Sequence, residues 1–227
     1  MKKVLLVLAV ALLLVSAVQA ASTKPQLEKI TFVHYAKDYK GKPTWDDTVT
    51  DYRLISGGVR WTTTPVTYYI STVNMPSLDP SFVLSTITSS SETWDDATGT
   101  ELFYTPTFTN NPVVSGDGVN TVGWGNLQPG VIAVTQLWYN PATKEIVEFD
   151  MILNTYYAWG DATTATDEVM DLQNIATHEF GHAGGLGDLK PPKDSELTMY
   201  AYSDHNEVKK RTLGVGDILG IQKLYGG

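Results

Sequence analysis

The stretch Asn174–Lys190, NIATHEFGHAGGLGDLK, decides how this chain is read. On a helix His178 and His182 are four residues apart, so both rings leave the same face about 6 Å apart along the axis. That spacing suits two imidazoles meeting one zinc ion at about 2.0–2.1 Å. Glu179 follows the first histidine and is placed to take a proton from metal-activated water and deliver it to a leaving amine. Val169, Leu172, Ile175 and Ala176 supply an apolar stripe, which predicts a helix starting near Thr166 or Asp167. Gly184, Gly185 and Gly187 then oppose further helix, each costing about 1 kcal/mol relative to alanine. Gly185 is the natural turning point, with positive φ open to it, and the turn brings Asp188 back toward the metal. A carboxylate is a legitimate third zinc ligand at about 2.0–2.2 Å. The alternative leaves Asp188 in solvent and uses His205 or a tyrosine. An anionic third ligand makes the zinc less electrophilic, so Glu179 carries more of the deprotonation.

Outside this stretch the chain is globular in composition, with 227 residues, 42% of them hydrophobic, enough for one domain with a sizeable core. Its first twenty residues differ. MKKVLLVLAVALLLVSAVQA has two lysines, an apolar run and small residues at its end, the order of a secretory signal peptide. The expectation is therefore an exported, extracellular protein without stable membrane association after cleavage. There is no cysteine, which excludes disulfides, thiolate ligands and any latency built on a thiol. Without Lys2 and Lys3 the chain has 14 basic residues against 25 acidic ones, a balance that disfavours nucleic acid and anionic lipid. A monomer is the default expectation.

The elements read in order. Residues 21–51 are polar around one strand-like run, Ile30 to Tyr35, and form an N-terminal arm or a short pro-segment. Residues 52–227 form the main domain. TPVTYYIST alternates as a strand. Asp79 is an N-cap with Pro80 at the first helical position, and Gly99 closes that helix. ELFYTPTF and GVNTVGWGNL are short strands, and GVIAVTQLWYNPATKEIVEFDMILNT is a hairpin turning at Asn140–Thr143. Ile218, Ile221, Leu224 and Tyr225 form the apolar face of a last helix, stopped by Gly226. Strands first and helices late predict one α+β domain.

HEFGHAGGLGD, followed by Met199 in ELTMYAYSD, resembles the metzincin metalloproteases, with their extended zinc motif and Met-turn. Within them GDILGIQKLYG is similar to the C-terminal helix of the matrixins, the matrix-metalloproteinase type. The resemblance implies a twisted five-stranded mixed sheet packed on two long helices, the active-site helix and the C-terminal helix among its parts. It implies a secreted zinc endopeptidase acting on protein or peptide substrates, with His178, His182 and Asp188 on Zn2+ and Glu179 as general base. Met199 would floor the metal. Tyr200 would edge the pocket beyond the scissile bond, and the backbone of Val131, Ile132, Ala133, Val134 and Thr135 would pair with an extended substrate. The sequence departs from the family pattern in having Asp188 as the terminal ligand and Ala201 where proline is expected. It also lacks the histidines for a structural zinc, only His34 and His205 lying outside the motif. Asp117, Asn120 and acids of the same glycine-rich loop are candidate Ca2+ donors, against the plainer expectation that isolated loop acids are solvated. Two rival functions are a zinc amidase acting on non-protein amides and a zinc-binding module without turnover.

Overall fold

A computed structural model describes residues 25–37 and 49–226; the expected signal segment, 1–20, and residues 21–24 and 38–48 of the remaining arm lie outside these residues. The strands are β1 (Glu28–Ala36), β2 (Tyr69–Ser71), β3 (Thr107–Thr109), β4 (Thr121–Gly125), β5 (Val131–Tyr139), β6 (Ile146–Asn154), β7 (Trp159–Gly160), β8 (Met170–Asp171) and β9 (Tyr202–Ser203). The helices are α1 (Pro80–Thr98), α2 (Leu172–Ala183) and α3 (Val215–Tyr225).

The main sheet has the order β3-β2-β4-β6-β5-β1-β9. Its first five strands are the five expected, and the mixed α+β class holds. β5 runs antiparallel to β6, while β2, β3, β4 and β6 pair in parallel. The two further strands are added at the β5 edge. β1 pairs antiparallel with β5 from Glu28↔Tyr139 to Tyr35↔Val131, and parallel with β9 at Tyr35↔Tyr202.

Local chemistry sets the helix ends. Asp79 accepts hydrogen bonds from the Ser81 and Phe82 amides at 2.7 and 3.1 Å, and Gly99 ends α1 with φ 64°. The fully buried Trp94 of α1 donates through Nε1 to the Thr177 carbonyl at 2.8 Å, tying α1 to α2. Tyr68, Phe103, Phe149 and Phe180 meet edge-to-face between α2 and the sheet.

One boundary differs from expectation. α2 starts at Leu172, not near Thr166. Met170 is held in β8 against Trp159, and the Asp171 carboxylate takes the Asn174 amide at 2.9 Å as N-cap. Asp171 also pairs with Arg211. Val169 is still buried, but through a loop whose amide bonds the Asn206 side chain. Among the described residues no helix is long and apolar enough to cross a membrane.

Candidate metal centre

α2 presents His178 and His182 side by side, their ring centroids 4.7 Å apart. The helix ends at Gly184. Gly185, with φ 106°, reverses the chain at a point where a Cβ would lie 2.4 Å from the Val59 carbonyl oxygen. That turn carries Asp188 back, and its Oδ1 lies 3.4 Å from both His178 Nε2 and His182 Nε2. His205, the alternative third ligand, instead packs on Tyr157 at the surface beside Asp204.

The other ring nitrogens are already engaged. His178 Nδ1 donates to the Thr198 carbonyl at 2.7 Å and His182 Nδ1 to the Leu186 carbonyl at 2.8 Å. Both Nε2 atoms therefore face Asp188 and are the ones left to bind a metal, the arrangement that orients histidine ligands at metal sites. His178 Nε2 and Asp188 Oδ1 are buried and have no hydrogen-bond partner. Burial pushes the His178 pKa down to about 3. Asp188 is driven up by burial, but charge on His182 and hydrogen bonding from both imidazoles hold it well below the usual carboxylate range. His182 is pushed down by burial but raised overall by Asp188, and a bound cation would displace its proton.

Met199 lies under the helix. A Cβ on Gly181 would fall 2.2 Å from its sulfur, so glycine is what lets the methionine approach. The turn is pinned by Asp217, which sequence reasoning missed. This buried carboxylate of α3 accepts from the Thr198, Met199 and Gly214 amides at 2.7, 3.0 and 2.9 Å. Its visible signal was only an acid near the start of a helix.

Glu179 is fully buried, and burial lifts its pKa to about 7 against the pull of His182 and a hydrogen bond from Thr135. The Thr135 hydroxyl donates to Oε2 at 2.5 Å, so a residue expected to contribute backbone also orients the acid. Oε1 lies 3.2 Å from His34 Nδ1. His34 comes from β1, its ring centroid 4.0 Å from that of His178, and the neighbouring Phe32 stacks on His182 at 4.1 Å. The β5 edge expected to receive a peptide, residues 131–135, is thus already paired by β1. Tyr200 is buried against Tyr202, and its carbonyl accepts from Lys210. His34 and Lys210 are the other residues sequence reasoning missed.

Of the candidate calcium donors, Asn120 is engaged with the Thr67 carbonyl and the Phe149 amide, and Asp117 accepts from the Val119 amide. The glycine-rich loop wraps instead around Glu148, whose carboxylate accepts from the amides of Gly116, Asp117 and Gly118.

Residues 133–226 match the Matrixin family. The chain is matrixin-like. It is 26% identical over 180 residues to metalloendoproteinase 1-MMP of Arabidopsis thaliana, covering 79% of this chain and 48% of that protein. It is 41% identical over 64 residues to matrilysin of Rattus norvegicus, covering 28% of this chain and 23% of that protein. Macrophage metalloelastase of Oryctolagus cuniculus is 45% identical over 53 residues, 23% of this chain and 11% of that protein. The chain spans less than half the length of each of these relatives.

The matrixin-like family implies zinc, and the residues fit it. Among the described residues His178, His182 and Asp188 form one of two clusters of donor atoms, the other being His34, His178 and Glu179. A tetrahedral zinc with bonds of about 2.0–2.1 Å has edges of about 3.3–3.4 Å, and both histidine-to-Asp188 separations are 3.4 Å. One carboxylate and two imidazoles, the imidazoles oriented by backbone carbonyls, are a donor set that suits a divalent cation.

Proposed function

We propose that this chain is an exported zinc endopeptidase in which His178, His182 and Asp188 hold the metal and Glu179 is the general base. The observation that carries the reading is a buried acid directly beside three converging metal donors, at the β5 edge along which β1 is laid as an added strand. Zinc bound there would acidify a water and polarise the scissile carbonyl. Glu179, aimed by the Thr135 hydroxyl, takes the proton and returns it to the departing amine. The β5 backbone from Val131 to Thr135 aligns the substrate as an added strand, and Tyr200 and Tyr202 form the facing wall. A β5 edge that takes β1 as an added antiparallel strand favours an extended peptide over a non-protein amide.

In this reading residues 21–51 are a pro-segment. β1 lies along the same edge a substrate would use, and His34 holds the carboxylate that must accept the proton. Latency therefore needs no thiol. Export rests on the N-terminal segment alone, and the chain acts as a monomer.

The test is zinc content and casein cleavage by the full chain. One zinc per chain and slow cleavage stopped by a chelator are expected. Asp188→Ala should weaken zinc binding by at least about tenfold and lose cleavage with it. Unchanged zinc affinity in that variant would remove Asp188 from the ligand set. Tight zinc binding with no cleavage, even after removal of β1, would leave a binding module.

Calcium is proposed at the glycine-rich loop. There the fully buried Asp150 has its pKa pushed up to about 8 by burial and by the neighbouring acids Glu148 and Asp117. A cation would relieve that crowding. Millimolar Ca2+ should raise the melting temperature by several degrees and Asp150→Asn should remove the increment; a melt indifferent to Ca2+ ends the idea.

A further inference from the structure

The β1 strand also indicates what the cleft selects. Its residues run antiparallel to β5 and parallel to β9, and His34 reaches past Glu179 into a fully buried recess. At the end of that recess His34 Nε2 meets Ser203 Oγ at 3.0 Å and Lys210 Nζ at 3.3 Å. The Lys210 ammonium can only donate, so His34 Nε2 accepts from it, and Nδ1 carries the ring proton toward Glu179. Burial, reinforced by His178 and Lys210, holds the His34 pKa well below its usual value, consistent with a neutral ring.

Lys210 is built into the floor rather than passing through it. It is fully buried, its amide donates to Asn174 Oδ1 at 2.8 Å, and its ammonium donates to the Tyr200 carbonyl. Its neighbours are paired: Lys209 with Glu196 at 3.2 Å and Arg211 with Asp161 at 2.6 Å. Among the described residues Lys210 has no carboxylate within ion-pair distance. Burial lowers its pKa to about 8, so most of it is charged at neutral pH. When His34 leaves, a buried ammonium hydrogen loses its acceptor.

We propose that Lys210 is a specificity-determining residue. It makes the recess select peptides whose side chain at the place of His34 ends in a hydrogen-bond acceptor: a carboxylate, a primary amide or a neutral imidazole. The proposal rests on the endopeptidase reading and names its substrate class. An apolar side chain there strands the buried donor, and a lysine or arginine adds a like charge. A site built around a hydrogen bond rejects the analogue that lacks it far more strongly than an apolar pocket discriminates by size.

The experiment takes the full, zinc-loaded chain with His34→Ala, which empties the recess, alone and combined with Lys210→Met. Each is given a peptide library randomised on both sides of the cut. The single variant should favour Glu, Gln, Asn or His over Leu and Met by about tenfold or more at one position next to the cut. Lys210→Met should reverse that order. An apolar preference in the single variant, or an acceptor preference that survives Lys210→Met, overturns the proposal. A second measurement needs neither turnover nor a Lys210 variant: fluorescence anisotropy of two peptides differing only by Gln or Leu at that position, bound to the His34→Ala chain. Tighter binding of the Gln peptide supports the proposal, and equal or weaker binding overturns it. If no peptide is cut, the endopeptidase reading fails while the binding pair still judges the recess.

Discussion

Glu179→Gln is expected to lower peptide cleavage by about 10²–10⁴-fold while the chain keeps one zinc. The amide has the carboxylate's shape and can still accept the Thr135 hydroxyl that lies 2.5 Å from Oε2 in the native chain. It cannot accept a proton. Because His178, His182 and Asp188 form a complete three-donor cluster without Glu179, zinc affinity should change little if they are the ligands; zinc held instead by His34, His178 and Glu179 would be lost. Initial rates on casein together with zinc content separate the two effects. A Gln variant that cleaves at the native rate would exclude Glu179 as the base. A variant that loses zinc as well would make it a ligand.

The second large effect runs in the opposite direction. His34→Ala in the full chain should speed cleavage by about ten- to a hundredfold. The change removes contacts with Glu179, Ser203 and Lys210 and the packing on His178. A buried hydrogen bond to a charged group contributes about 1.5–3 kcal/mol, and about 1.4 kcal/mol is a factor of ten in the population of the open cleft. The backbone pairing of β1 with β5 remains, so the gain should be partial and should grow when β1 is removed altogether. A lower melting temperature with no gain in rate would mean that β1 is a permanent strand of the fold, and the pro-segment reading would fall. With it would go the use of residues 131–135 as a substrate edge.

Much of the architecture was legible because its signals are local. Asp79, Pro80 and Gly99 mark both ends of α1, since capping involves groups within a few residues. The hairpin β5–β6 and the face of α3 follow from side-chain period. The start of α2 was misplaced because the apolar stripe extends back to Val169. What stops the helix there is a set of partners outside its own stretch: Trp159 for Met170, and Arg211, 40 residues on, with Asp161 around the cap.

The sequence by itself determined which side chains converge as the proposed metal donors. A helical repeat puts His178 and His182 on one face, and a run of glycines forces the turn that returns Asp188; neither needs the rest of the chain. Only the tertiary structure decided what stands opposite them. His34 is 145 positions from Glu179, and its own neighbourhood says no more than that it lies in a strand. Which edge that strand joins is a matter of long-range pairing, and the free edge of β5 is where its backbone hydrogen bonds could be made. Lys210 is the same case. In sequence it is one of three consecutive basic residues, and burial against the Tyr200 carbonyl is what separates it from the two beside it.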